Sequence, residues 1–113
     1  MTQPKVKMDP VKAAGLLEKW ISFYDMNDPK AWDKEEYGFV KDTCKAMQLS
    51  AQVLRGKGAS VKPAQRQAAA AQLLDWVDEY EMDNPGSWEK ENVSFVKEVV
   101  QAITFAASYL NGK

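Results

Sequence analysis

Carboxylates, prolines and tryptophans recur together in two short stretches of this chain, and any chemistry it performs would begin there. Residues 25–36 read Asp-Met-Asn-Asp-Pro-Lys-Ala-Trp-Asp-Lys-Glu-Glu, which puts oxygen-bearing side chains at positions 1, 3, 9 and 12 of a twelve-residue segment. Those are the donors a hard cation such as calcium takes. The acid pairs Asp33/Glu36 and Glu89/Glu91 could instead serve as general acid and base, provided a water-poor pocket drives their pKa values apart.

The details argue against both chemistries. The segment has the ligand positions of an EF-hand loop, but Pro29 stands at position 5 and Lys30 at position 6, where the tight turn needs glycine. The second stretch supplies Gly86 but begins with Glu81 and ends with Asn92 in place of the bidentate glutamate. Both stretches read as Asx-capped turns, so no metal and no cofactor is expected. Histidine is absent and Cys44 is the single cysteine, which removes Cys/His zinc sites and the Ser-His and Cys-His nucleophilic pairs. Nothing in the sequence builds a dry pocket around the acids, and no catalytic residue is assigned.

The two stretches belong to a longer repeat. WISFYDMNDPKAWDKEEYGFVKD from Trp20 returns as WVDEYEMDNPGSWEKENVSFVKE from Trp76, and the Trp20/Trp76 register holds without a gap over 11–57 and 67–113, where 18 of 47 pairs are identical. Halves of about 50 residues are too small for independent cores, so residues 1–113 are expected to form a single domain. Residues 56–66 are its internal linker, and residues 1–8 a polar N-terminus that frays.

Helical periodicity dominates each copy. Ala13, Leu17, Trp20, Ile21 and Tyr24 fall on one helical face after an Asp9-Pro10 start, and Ala69, Leu73, Trp76, Val77 and Tyr80 repeat the pattern after Lys62-Pro63. Met26-Asn27-Asp28-Pro29 and Met82-Asp83-Asn84-Pro85 should end these helices and restart a short helical turn carrying Trp32 or Trp88. Gly38, opposite Ser94, suggests a bend near 35–38 before the next long helix. In that helix Lys41, Lys45, Gln48, Gln52 and Arg55 form a polar stripe, matched by Lys97, Gln101, Thr104, Ser108 and Asn111, and Gly56 and Gly112 sit at C-cap positions.

The expected fold is therefore all-α: a four-helix bundle of two tandemly duplicated αα-hairpins related by a pseudo-twofold axis, each with a short extra helical turn. Up-down-up-down topology would gather both Asx-Pro turns at one end, with ten carboxylates (Asp25, Asp28, Asp33, Glu35, Glu36, Glu79, Glu81, Asp83, Glu89, Glu91) against Lys30, Lys34 and Lys90. The other end would hold Lys5, Lys7, Lys12, Arg55, Lys57, Lys62, Arg66 and Lys113 against Asp9. A formal net charge of −1 hides this polarity.

Function is sought where the copies differ, because what they share is explained by packing. Leu16 and Phe23 replace Gln72 and Glu79, and the last helix carries Val93, Val99, Val100, Phe105 and Tyr109 where the second has Tyr37, Thr43, Cys44, Leu49 and Val53. Leu16, Phe23, Phe105 and Tyr109 are the candidate protein-binding residues, with a homodimer through the last helix among the expected assemblies. The leading expectation is a non-enzymatic helical interaction module, an adaptor, assembly subunit or inhibitor of the kind that small phage and mobile-element proteins exemplify. The alternative is a nucleic-acid-backbone binder using Arg55, Lys57, Lys62 and Arg66. One cysteine and no uninterrupted apolar run of about 18 residues suggest a cytoplasmic chain without a membrane partner.

Overall fold

In a computed structural model that describes residues 8–112, the chain forms four α-helices and no strand among those residues. They are α1 (Pro10–Phe23), α2 (Lys34–Leu54), α3 (Pro63–Glu79) and α4 (Val93–Leu110), with 3-10 turns at Pro29–Ala31, Pro85–Ser87 and Lys90–Asn92. The N-terminal segment expected to fray lies, apart from Met8, outside the described residues, as does Lys113.

Each helix boundary follows from local chemistry. Asp9 caps α1, its carboxylate accepting from the Lys12 N–H at 3.2 Å, and Pro10 sits where no N–H is required. At the start of α3 the Gln65 side chain accepts the Lys62 N–H at 2.9 Å, while Lys62 itself has no acceptor to return. Gly56 and Gly112, with φ of 80° and 79°, close α2 and α4. The Lys57 N–H to Gln52 and Gly56 N–H to Val53 bonds make the end of α2 a Schellman motif.

The ends of α1 and α3 use the same motif with an acid in the left-handed position. Asp25 and Glu81 both adopt φ of 50°, and the Met26 and Met82 N–H groups reach back to Ile21 and Val77 at 3.0 Å. A left-handed non-glycine residue costs about 1–2 kcal/mol. In exchange, the Asp25 carbonyl receives the Trp32 indole N–H at 3.1 Å and the Glu81 carbonyl receives that of Trp88 at 3.0 Å. The two methionines, next in sequence, are buried.

This indole bond moves the expected break. The chain is extended at Trp32 and Asp33, and α2 then runs from Lys34 straight through Gly38 to Leu54. Folding Trp32 back onto Asp25 forces the bend at 32–33, ahead of the 35–38 position that the glycine suggests. Gly38 is simply a weak helix former on an exposed face. In the second half the extended residues are Trp88 and Glu89, and a 3-10 turn precedes α4.

The helices pack in the ring α1-α2-α3-α4, and α2 and α4 also meet across its centre. The two helices carry buried small residues, Ala46, Ser50 and Ala51 of α2 and Ala102, Ala106 and Ala107 of α4, which suit close helix approach. Both α2 and α4 thus touch all three other helices. By length and composition Lys90–Leu110 could cross a membrane, although no uninterrupted apolar run marks it; here Val96, Val99, Ala102 and Ile103 form an inner wall of the bundle. Both predicted polar stripes are exposed at every position.

Candidate protein-binding face

Trp88 of the second turn packs against Trp20 and Tyr24 at the end of α1, and Trp32 of the first turn packs against Trp76 and Tyr80 at the end of α3. Each turn reaches across to the other half, so both Asx-Pro turns lie at one end of the bundle. All ten carboxylates and three lysines assigned to that end are exposed, leaving it seven negative charges in excess.

Beside this acidic end an apolar groove of about 250 Å³ opens between the second turn and α4. Met82, Pro85, Trp88, Val93, Val96 and Val100 line it, with Asp83, Lys97 and Gln101 completing its walls. Local structure explains why it exists. The left-handed Glu81 turns the chain so that Met82 is buried beneath it, the Asn84 side chain caps the Gly86 N–H at 3.1 Å, and Val93, Val96 and Val100 recur at helical spacing.

The first half has a corresponding hollow, lined by Met26, Asn27, Tyr37, Lys41, Cys44, Lys45 and Gln48, but it measures only about 150 Å³. Met26, Asn27, Lys41, Cys44 and Lys45 are the repeat counterparts of Met82, Asp83, Lys97, Val100 and Gln101 in the groove. Tyr37 stands where the second half has Val93, and the larger ring takes up space that the valine leaves open. Both hollows fall below the roughly 300–1,000 Å³ of a drug-sized ligand site. Their volume suits one side chain.

Phe23 is a second exposed apolar feature of this end, on the α1 side of α4 and away from the groove. It is 54% exposed, packs edge-on against Tyr24 at 4.9 Å and Phe95 at 5.3 Å, and is joined through Tyr24 to Trp88 in the groove wall. The Lys19 ammonium lies 5.4 Å from the Phe95 ring. Burial and the nearby Glu89 carboxylate hold the Tyr24 hydroxyl above its ordinary pKa. Leu16, two turns earlier on α1, is half-buried against the core.

Phe105 and Tyr109 pair with each other at 6.0 Å, the first half-buried and the second 37% exposed. From Phe95, on which Phe23 packs, to Tyr109 is about 21 Å along α4, so Phe23 and the Phe105/Tyr109 pair are separate exposed spots, with Leu16 about 10 Å along α1 from Phe23. The groove residues do not stand out as a site in sequence, because Val93 and Val100 are ordinary core residue types. The readable signal is the Tyr37/Val93 mismatch.

The four basic candidates have different situations. Arg55 forms an ion pair with Glu18, and the Arg66 guanidinium is directed into the linker, donating to Gly58 O at 2.9 Å and Val61 O at 3.3 Å. Lys57 and Lys62 are exposed. Lys5 and Lys7 lie outside the described residues. Among the described residues no cluster of acids or cysteine could hold a metal ion. Cys44 is a buried free thiol whose pKa burial raises, the environment of a packing residue and not of a nucleophile. Compared with known proteins, the chain matches no family profile, and no curated protein and no solved structure is significantly similar to it.

Proposed function

We propose that this chain is a non-enzymatic protein-interaction module, an adaptor, assembly subunit or inhibitor, that engages its partner through the α4 groove walled by Trp88, with the exposed Phe23 on the α1 side as a further contact. The observation that carries this reading is an open apolar groove lined by Met82, Trp88, Val93, Val96 and Val100, at a place where the two halves of the sequence diverge at Tyr37/Val93. An apolar pocket that an anchor side chain can fill and dry is the arrangement in which interface hot spots form. The nucleic-acid reading is the weaker one, since Arg55 and Arg66 are engaged within the chain and Lys57 and Lys62 are left as exposed cations.

A tandem origin for the scaffold is part of the same proposal. It is supported by the 18 identities in 47 aligned pairs and by equal left-handed angles at Asp25 and Glu81. A duplicated frame with one hollow filled and one open leaves a single site.

Affinity capture with the full chain, with and without nuclease, tests the function. Loss of the captured protein with Phe23→Ser and Val100→Glu, and its retention after nuclease and with Lys57→Ala/Lys62→Ala, is the expected pattern. Capture abolished by nuclease or by the lysine substitutions would overturn it in favour of nucleic-acid binding.

A further inference from the structure

We infer that the α4 groove takes a bulky aliphatic or aromatic side chain from a positively charged protein segment. This rests on the interaction reading above and adds the chemistry of the partner. Two independent features converge. The groove is apolar and sized for one anchor, and it opens beside an end of the bundle where exposed carboxylates exceed lysines by seven. Within the walls Asp83 and Lys97 offset one another, so the sign of the field is set by the surroundings, where Glu81, Glu89 and Glu91 of the second turn outnumber Lys90.

That field steers a basic segment in and repels an acidic one, and it is screened by salt. A nucleic-acid backbone is disfavoured at this end by the same charges. An uncharged apolar segment would gain the anchor but not the steering. A partner with an anchor flanked by lysine or arginine uses both features.

The protein's own first half supplies the control. Val93→Tyr should fill the groove as Tyr37 fills the hollow of the first half, and circular dichroism reports whether the fold is kept. A second variant, Val100→Lys, places a charge in the groove from a different position. The probes are three fluorescein-labelled amphipathic helical peptides: one with leucines on one face and lysines elsewhere, a twin with serines for the leucines, and a twin with glutamates for the lysines.

Anisotropy titrations should show the leucine/lysine peptide binding the wild type, and about tenfold weaker binding, some 1.4 kcal/mol, for the serine twin and for each groove variant. The glutamate twin should not bind, and salt should weaken the lysine peptide. Equal binding of the glutamate and lysine peptides, both lost with Val93→Tyr, would overturn the charge assignment while leaving the groove as an interaction site. Binding unchanged in both groove variants would place the peptide elsewhere and overturn the groove itself. Failure of all three peptides to bind would overturn the inference. So would a wild-type dimer in light scattering that Val93→Tyr converts to monomer, since a second copy would then be the occupant.

Discussion

The Tyr80 hydroxyl donates to Glu36 Oε2 at 2.9 Å, joining the end of α3 to the first turn of α2. At the same 56-residue offset the sequence has Tyr24 and Asn92, so the acid is missing. Burial, the hydrogen bond and charge of Glu36, and then the charge of Glu79 drive the Tyr80 pKa well above its ordinary value of 10.0. The folded protein holds this proton where the unfolded chain releases it. Stability from this group is therefore complete below about pH 10 and declines as pH rises beyond it. Denaturant melts from pH 8 to 11 should show a steeper alkaline loss for the wild type than for Tyr80→Phe, and at neutral pH the variant should be less stable by about 1 kcal/mol. An alkaline slope unchanged in Tyr80→Phe would assign that loss to other tyrosines.

The left-handed acids give a second prediction. Glycine at Asp25 relieves the strain of φ 50°, partly offset by the freedom glycine adds to the unfolded chain, for a net gain of about 0.5–1 kcal/mol. Glu81→Gly should gain less, because Glu81 Oε1 accepts from Ser87 Oγ at 3.0 Å and Asn84 Nδ2 at 3.3 Å, bonds with no Asp25 counterpart. Trp32→Phe should lose about 1 kcal/mol with the indole bond. Thermal melts rank the three, and a Glu81→Gly gain equal to that of Asp25→Gly would show the side-chain bonds to be without weight.

How far such features are legible in sequence depends on whether they repeat or require depth. The helix faces, the two polar stripes and the C-cap glycines recur at the same 56-residue offset in the two halves of the sequence, so periodicity identifies the four helices. The break falls at Trp32–Asp33 because an indole-to-carbonyl bond across seven residues outweighs the helix-weakening glycine at 38. The central placement of α2 and α4 depends on which small residues face which neighbour, a three-dimensional fact that leaves only alanines and a serine in the sequence. The groove is half-legible: the Tyr37/Val93 difference is visible, whereas the cavity it leaves needs the positions of Met82 and Trp88. Trp20 and Trp76 are readable as core, yet their indole N–H groups are buried without a hydrogen-bond partner, which no spacing rule foretells.

Two glycines should respond in opposite senses to alanine. At Gly38 an added Cβ meets nothing within 4 Å, so Gly38→Ala should stabilise α2 by about 0.5–1 kcal/mol. At Gly58 the same carbon would lie 2.6 Å from Val53 Cγ2 and 3.0 Å from Val53 Cα, and overpacking of that kind costs about 1–3 kcal/mol. Chemical denaturation measures both, and a stabilised Gly58→Ala would mean that the linker shifts freely.

Arg66 and Lys62 are both cations of the linker region, but only Arg66 bonds its backbone. Arg66→Ala removes the guanidinium donors to the Val61 and Gly58 carbonyls, the latter keeping the Val61 N–H at 3.0 Å, and should lower stability by about 1 kcal/mol, whereas Lys62→Ala should change it by less than about 0.5 kcal/mol. Equal effects in urea titrations would deny the guanidinium its role in fixing the linker.

The filled hollow of the first half offers a gain-of-function prediction. If Tyr37 is what separates a hollow of about 150 Å³ from a groove of about 250 Å³, Tyr37→Val should open a second site. Removing a ring that is only half-buried lowers stability by less than the roughly 3–5 kcal/mol of a deep aromatic truncation, so the variant is expected to fold. Calorimetric titration with the leucine/lysine peptide should then move from one site per chain to two, the new one weaker because Cys44 and Lys45 replace Val100 and Gln101 in its wall. Combined with Val93→Tyr, the stoichiometry should return to one. A stoichiometry that stays at one in Tyr37→Val would mean that the surrounding residues, and not the tyrosine alone, keep the first hollow closed.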